Sequence, residues 1–307
     1  MLKTILGRLG QGILVLLVLY SLTFILVRTL PGDPFMEEKA IPEHVKEKKK
    51  AAYGLNDDLP TQYLNNLGKI LKGDFGYSTM MTGRDVSEII KHSFPVSFQL
   101  GIAAMIIAML IGIPAGIISA ARKNTLIDFS TMAIAMIGIC LPSFVIGPIL
   151  ATWIGQSMKL LPAAGWDGFF SSSIILPAVT LGLITGAYLS RLTRAGMLDI
   201  LGQDFIRTAQ AKGLKEKSIL FKHALKGGMI PAVAYLGPAF AGTISGSIII
   251  EQIFHIPGMG QQFIKAINKQ DPFLIQGCVL LYGSLIVIAN LVTDIVQVYL
   301  NPRLRKS

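Results

Sequence analysis

Residue types that do chemistry are present in this sequence, but their spacing builds no catalytic constellation. Four histidines, His44, His92, His223 and His255, are scattered, with no HExxH or HxE to hold a zinc ion. No GxSxG occurs, and Gly242-Thr243-Ile244-Ser245-Gly246 has the wrong spacing for a nucleophile on a strained turn. Cys140 and Cys278 sit in separate apolar blocks without CxxC or Cys/His spacing, which suits small packing residues rather than a disulfide or a metal. GxxxxGK[ST] is missing too, so the chain offers ATP no P-loop. No catalytic residue, metal or cofactor of its own is expected.

Two carboxylates stand where charge is costly. Asp294 lies in the last apolar block, about four or five residues from its end and so only several ångströms from water. It admits two readings: a proton or ion site, and an interfacial acid paired with a base such as Arg303 or Arg305. Glu251 ends another block beside Pro257-Gly258-Met259-Gly260, where glycines at 258 and 260 permit positive φ and hence a tight turn. An outer gate or receptor contact at Glu251, Pro257, Gly258 and Gly260 competes there with ordinary turn chemistry.

The elements that must position these residues are apolar runs. Of 307 residues 52% are hydrophobic and only 15% charged, against roughly 25% charged in a soluble domain. Apolar blocks of about 20 residues are long enough to cross a bilayer. They fall near 9–29, 97–119, 130–154, 174–192, 230–250 and 276–299, which predicts an all-α polytopic membrane fold with six spans. Lys3 and Arg8 precede the first block, but no A-x-A cleavage site follows it, so it reads as a retained helix rather than a signal peptide.

The formal net charge of +10 needs no nucleic acid to explain it. Arg122 and Lys123, the run of bases from Arg191 to Lys226, and Arg303, Arg305 and Lys306 all fall on one side of the spans. The positive-inside rule places that side, and both termini, in the cytoplasm of a cell whose inner membrane the chain crosses. The expected division is then an N-terminal span at 1–30, an extracytoplasmic segment at 31–96, solvated by its mixed charge, and a core of five spans at 97–307. Small residues and prolines recur inside the spans, as in Gly112-Ile113-Pro114-Ala115-Gly116, Leu141-Pro142-Ser143, Gly182 with Gly186, and Gly237-Pro238. Close helix packing and kinks account for them; a translocation path would add Ser143, Thr243, Ser245 and Ser247 as its polar wall.

The most informative segment is the inner loop near 204–226. Asp204 suits an N-cap, and Gly213 suits the left-handed residue that ends a short helix. Leu214, Ile219-Leu220 and Ala224-Leu225 then recur at helical spacing, with Lys215, Lys217, Lys222 and Lys226 between them. Such a pair of helices could lie on the anionic inner leaflet. It could instead present Phe205, Ala209 and Leu214 to a soluble partner, and the small residues Ala209, Ala211 and Gly213 favour such close approach over deep insertion in lipid.

This loop resembles the EAA loop of ATP-binding-cassette importer permeases, through Ala209, Gly213 and His223-Ala224-Leu225. Arg207-Thr208 replace the usual Glu-Ala, a departure similar to the variant in peptide and nickel importers. Pro31-Gly32-Asp33-Pro34, Tyr53-Gly54-Leu55, Gln62-Tyr63, Gly73-Asp74-Phe75-Gly76-Tyr77-Ser78, the 251–260 segment and Asn301-Pro302-Arg303 likewise resemble the B-type permeases of oligopeptide, dipeptide and nickel importers. The resemblance implies a type I permease fold. It also implies a homologous second permease, two cytoplasmic ATPases that consume the ATP, and an outer peptide-binding protein. The coupling residues it implies are Asp204, Phe205, Arg207, Thr208, Ala209, Ala211, Gly213 and Leu214. Oligopeptide import is the function so implied, with a dipeptide or nickel importer of the same family as the alternative. A secondary transporter using Asp294 for ion coupling is the rival from another class.

Overall fold

In lipid a chain has no water to satisfy its peptide groups, so uninterrupted apolar runs become helices. A computed structural model describes residues 2–29, 43–81 and 83–300. The Pro31-Gly32-Asp33-Pro34 motif and everything from Asn301 onward, including Arg303, Arg305 and Lys306, lie outside the described residues. Described elements are α1 (Leu2–Thr29), α2 (Glu43–Ala52), α3 (Leu59–Ile70), α4 (Val86–Ala121), α5 (Leu126–Cys140), α6 (Ser143–Leu150), α7 (Ile175–Leu201), α8 (Asp204–Ala211), α9 (Glu216–Ser218), α10 (Leu225–Gly228), α11 (Ile230–Ile253), α12 (Met259–Asn268) and α13 (Pro272–Leu300). π-Helical turns occupy Ala151–Ser157 and Ile219–Ala224.

Five of these helices are long and apolar enough to cross a membrane, and the pair α5 and α6 makes a sixth if counted as one broken span. The continuous span expected at 130–154 is therefore corrected. Its two halves meet at a bend of 100°, because Pro142 pushes the residue before it out of the helical region. Leu141 accordingly takes φ −84° and ψ 118°. At the other extreme α4 starts well before the expected residue 97 and runs for 36 residues, about 54 Å at 1.5 Å per residue. Glu88, Lys91 and His92 interrupt its apolar run without interrupting its helix.

The chain forms two compact units that are discontinuous in sequence. Unit 1 comprises residues 1–9, 98–256 and 285–307. Its central element is α7, whose most apolar stretch is 61% buried, against 22% for α1 and α13. Around α7 pack α5, α6, α10 and α11. The helix α4 meets it through small residues on both sides. A Cβ on Gly112 would collide with the carbonyl oxygen of Gly186, and one on Gly182 would stand 2.7 Å from that of Ala104. Backbones that close are what lipid-embedded helices use in place of hydrophobic attraction.

Unit 2 comprises residues 10–97 and 257–284 and is fastened by polar side chains. The Tyr20 hydroxyl donates to the Tyr63 carbonyl at 2.8 Å, and Asn66 Nδ2 donates to Gln276 Oε1 at 2.6 Å. Asp271, fully buried, accepts from the Ser78 hydroxyl and from the backbone N–H of Met80 and Leu274. One carboxylate thus caps the start of α13 and holds the 78–80 segment. Several residues of the Tyr53-Gly54-Leu55, Gln62-Tyr63 and Gly73 to Ser78 motifs belong to this network: Tyr53 donates to the Ser78 carbonyl, Gln62 donates to those of Leu55 and Asp57, and Gly76, at φ +78°, faces the Phe273 ring.

Candidate functional site

The loop near 204–226 begins where α7 ends. Gln203, extended at φ −82° and ψ 153°, occupies the N-cap of α8. The expectation that Asp204 caps the helix is corrected by one residue: Asp204 opens the first turn, where its charge suits the helix dipole. Its carboxylate lies 3.6 Å from exposed Arg207. At the far end Gly213 takes φ +71°. The N–H of Leu214 returns to the Ala209 carbonyl and that of Gly213 to Gln210. Those two bonds make a Schellman stop, which places an L-residue at a strained φ unless it is glycine.

The chain then continues through α9, a π turn and α10, so the single second helix expected from the spacing is interrupted by a turn of wider winding. Neither helix stands free of the body. Ile206, Ala209, Ile219 and Ala224 form one buried core with Ala120 of α4 and Met197 of α7. Gly227 and Gly228 let α10 lie directly against α7, where Gly228 would otherwise meet Met197.

Ala209, expected as a contact for a partner, is only 7% exposed and is corrected to an anchor of the loop on its own spans. The face turned outward instead carries Phe205 (47% exposed), Leu214 (41%) and Phe221 (59%). Arg207, Thr208, Ala211 and Lys212 are exposed beside them. Phe221 was not anticipated; its signal was an aromatic on the basic side, next to Lys222. A cleft of about 310 Å³, lined by Ala121, Leu201, Gln210, Leu214 and Ile219 among others, opens beside this face.

Beside the loop is an ion pair that the sequence pattern did not indicate. Asp128, in the first turn of α5 and 1% exposed, receives both arms of the Arg194 guanidinium at 2.6 and 2.8 Å. It also accepts from the Ser119 hydroxyl of α4 and from the N–H of Asn124. Arg194, grouped by sequence with the solvated loop bases, is part of α7. An acid among apolar residues just after a basic turn was the available signal.

The remaining candidates do not converge. Thr243 is buried, donates to the Ala239 carbonyl and lies 3.2 Å from the Thr185 hydroxyl. Ser247, one turn on, is fully buried and donates to Glu251, itself fully buried. Ser143 and Ser245 are half-buried, and Ser245 bonds back to Gly242. Thr243 and Ser247 thus share a buried face of α11, while Ser143 and Ser245 are partly exposed. In the 251–260 turn the positive φ belongs to His255, at +54°, whereas Gly258 is extended at −90° and Gly260 is helical. Pro257 is exposed and the two glycines are buried, which corrects the expected glycine turn. Asp294 pairs with a base, as one of its two readings expected: Arg8 at 3.1 Å, both side chains partly exposed; Arg303 and Arg305 lie outside the described residues.

With this geometry in view, comparison with known proteins is specific. Residues 112–306 match the family described as binding-protein-dependent transport system inner membrane component, and residues 1–101 match the N-terminal family of such membrane components. The oligopeptide transport system permease protein OppB of Salmonella typhimurium is 40% identical over 99% of this chain and 100% of its own length. The dipeptide transport system permease protein DppB of Bacillus subtilis is 38% identical over 94% of each. An inward-facing structure of the MetNI methionine ABC transporter shares the fold, with a TM-score of 0.59 and 14% identity over 69% of this chain and 96% of that one. The chain therefore belongs to the binding-protein-dependent transport system inner membrane components, the multi-pass inner-membrane permease subunits of ATP-binding-cassette importers.

Proposed function

We propose that this permease forms half of a pore that moves oligopeptides into the cell, and that residues 204–226 receive the motion of a separate ATPase. The observation that carries the reading is the divided loop: Ile206 and Ala209 anchor it to α4 and α7, while Phe205, Leu214 and Phe221 face outward with bases around them. Apolar anchors on a rigid support are what a docking partner needs. The oligopeptide and dipeptide names of full-length relatives supply the substrate class.

On this reading the basic loops and both termini face the cytoplasm. Two ATPases dock there, a homologous permease completes the path, and an outer binding protein delivers peptide. The chain has no cofactor of its own, since it lacks a P-loop and its ATPases do the hydrolysis. ATP closes the ATPase pair, the loop moves with it, and the spans exchange the side to which they open. The ion-coupled rival would use Asp294, which here pairs with Arg8 near an exposed surface. Co-purification with the ATPase pair tests the docking surface. Phe205→Asp is expected to lower ATPase recovery at least tenfold, and full recovery would overturn the reading. Uptake by proteoliposomes that follows an ion gradient and ignores ATP would overturn it as well.

A further inference from the structure

We propose that Asp128 and Arg194 are positioning residues for transport, a clamp that makes the broken span α5–α6 follow the coupling loop. The inference rests on the coupling role of residues 204–226. The core of that loop draws on α4 and α7, through Ala120 and Met197, and its buried members include none from α5. Motion delivered to the loop therefore reaches α4 and α7 directly; α5 packs along α7, but packed helices can slide, so a fixed direction of pull on α5 requires a specific contact.

That link is unusually narrow. From Arg122 to Ser130 the only buried residue is Asp128; Leu126 is 87% exposed and Phe129 63%. At the start of α5 the one buried side chain that meets the neighbouring helices is thus this carboxylate. Two of its three partners border the loop core. Ser119 precedes Ala120, and Arg194 lies one turn before Met197. Asn124, the third partner, bonds through the turn that joins α4 to α5.

The chemistry suits transmission rather than stability. A buried ion pair contributes little net stability compared with apolar residues of similar volume, because both charges must be desolvated. What the two-armed guanidinium–carboxylate contact provides is a fixed direction in both push and pull. Packed apolar helices can instead slide past one another by small shears. Beyond the clamp α5 leads to the Leu141-Pro142 break and its 100° bend, so displacement at Asp128 is carried towards the place where the span can change angle.

The test uses the complete importer, with ATPases, second permease and binding protein, in proteoliposomes, and reads peptides imported per ATP hydrolysed. Two variants are compared: the double change Asp128→Leu with Arg194→Met, which keeps volume, and Arg194→Lys, which keeps the charge but loses the two-armed contact. Both are expected to retain the ATPase pair. The double variant should lower the ratio about tenfold or more, and Arg194→Lys about threefold or more. A folding defect would lower the amount of complex and leave the ratio intact. An assembled double variant with the wild-type ratio overturns the clamp; if that variant does not assemble, an unchanged ratio in Arg194→Lys does so. Should the wild-type complex recover no ATPase, the coupling reading falls and takes the clamp with it.

Discussion

Where α4 and α7 cross in unit 1, missing side chains bring them together: Gly112 faces the Gly186 backbone, and Gly116 would meet the Ser190 carbonyl at 2.5 Å if it had a Cβ. In unit 2 the corresponding work is done by side chains that are present, with Ser78 bonded to Asp271, Asn66 to Gln276 and Tyr20 to the Tyr63 carbonyl. The difference follows from solvent. Between helices in lipid there is no hydrophobic gain, so contact depends on how closely backbones approach. A segment that leaves the spans and turns back must instead satisfy its own loop amides.

The largest effect is expected where α4 and α7 approach most tightly. Gly112→Val drives a branched side chain into a carbonyl that cannot move aside, an overpacking cost of about 3 kcal/mol or more. The variant should be recovered as aggregate on size-exclusion chromatography in detergent. A monodisperse peak with the wild-type apparent melting midpoint would erase the contrast between the two units.

Asp271→Ala sharpens the other side of the comparison. It strands the Ser78 hydroxyl and two backbone N–H groups, a loss of about 1–3 kcal/mol. Limited proteolysis should then cut residues 71–85 faster while the spans stay folded; an unchanged cleavage rate would mean that the carboxylate does not hold this segment.

Least should follow from Asp294→Asn. Its pair with Arg8 is partly exposed and, by analogy with surface pairs, is worth about 0–1 kcal/mol. The apparent midpoint should stay within a degree or two, roughly the scale of such a term. A fall of many degrees would show that this pair, too, belongs among the buried fastenings.

Much of this was legible in the residues. Block length predicted the spans, because only a helix closes every peptide hydrogen bond within lipid. Gly213 announced a left-handed stop, and Pro142 a disturbance of the third span. Less legible were relations between distant parts. Ala209 and Phe205 are both apolar members of one short helix, and which of them faces the body depends on where α4 and α7 end. The positive φ near residue 255 fell on a histidine although two glycines stood close by, since the chain path selected the position and not the residue most tolerant of it.

Local spacing and the cost of an unsatisfied peptide group in lipid determined that this protein is a multi-span helical membrane protein. Tertiary structure decided that Asp128 meets Arg194, that Asp294 meets Arg8, and that the loop at 204–226 is anchored by one face and open on the other. Those facts depend on which helix ends arrive side by side. Periodicity along one helix carries no information about its neighbour's register.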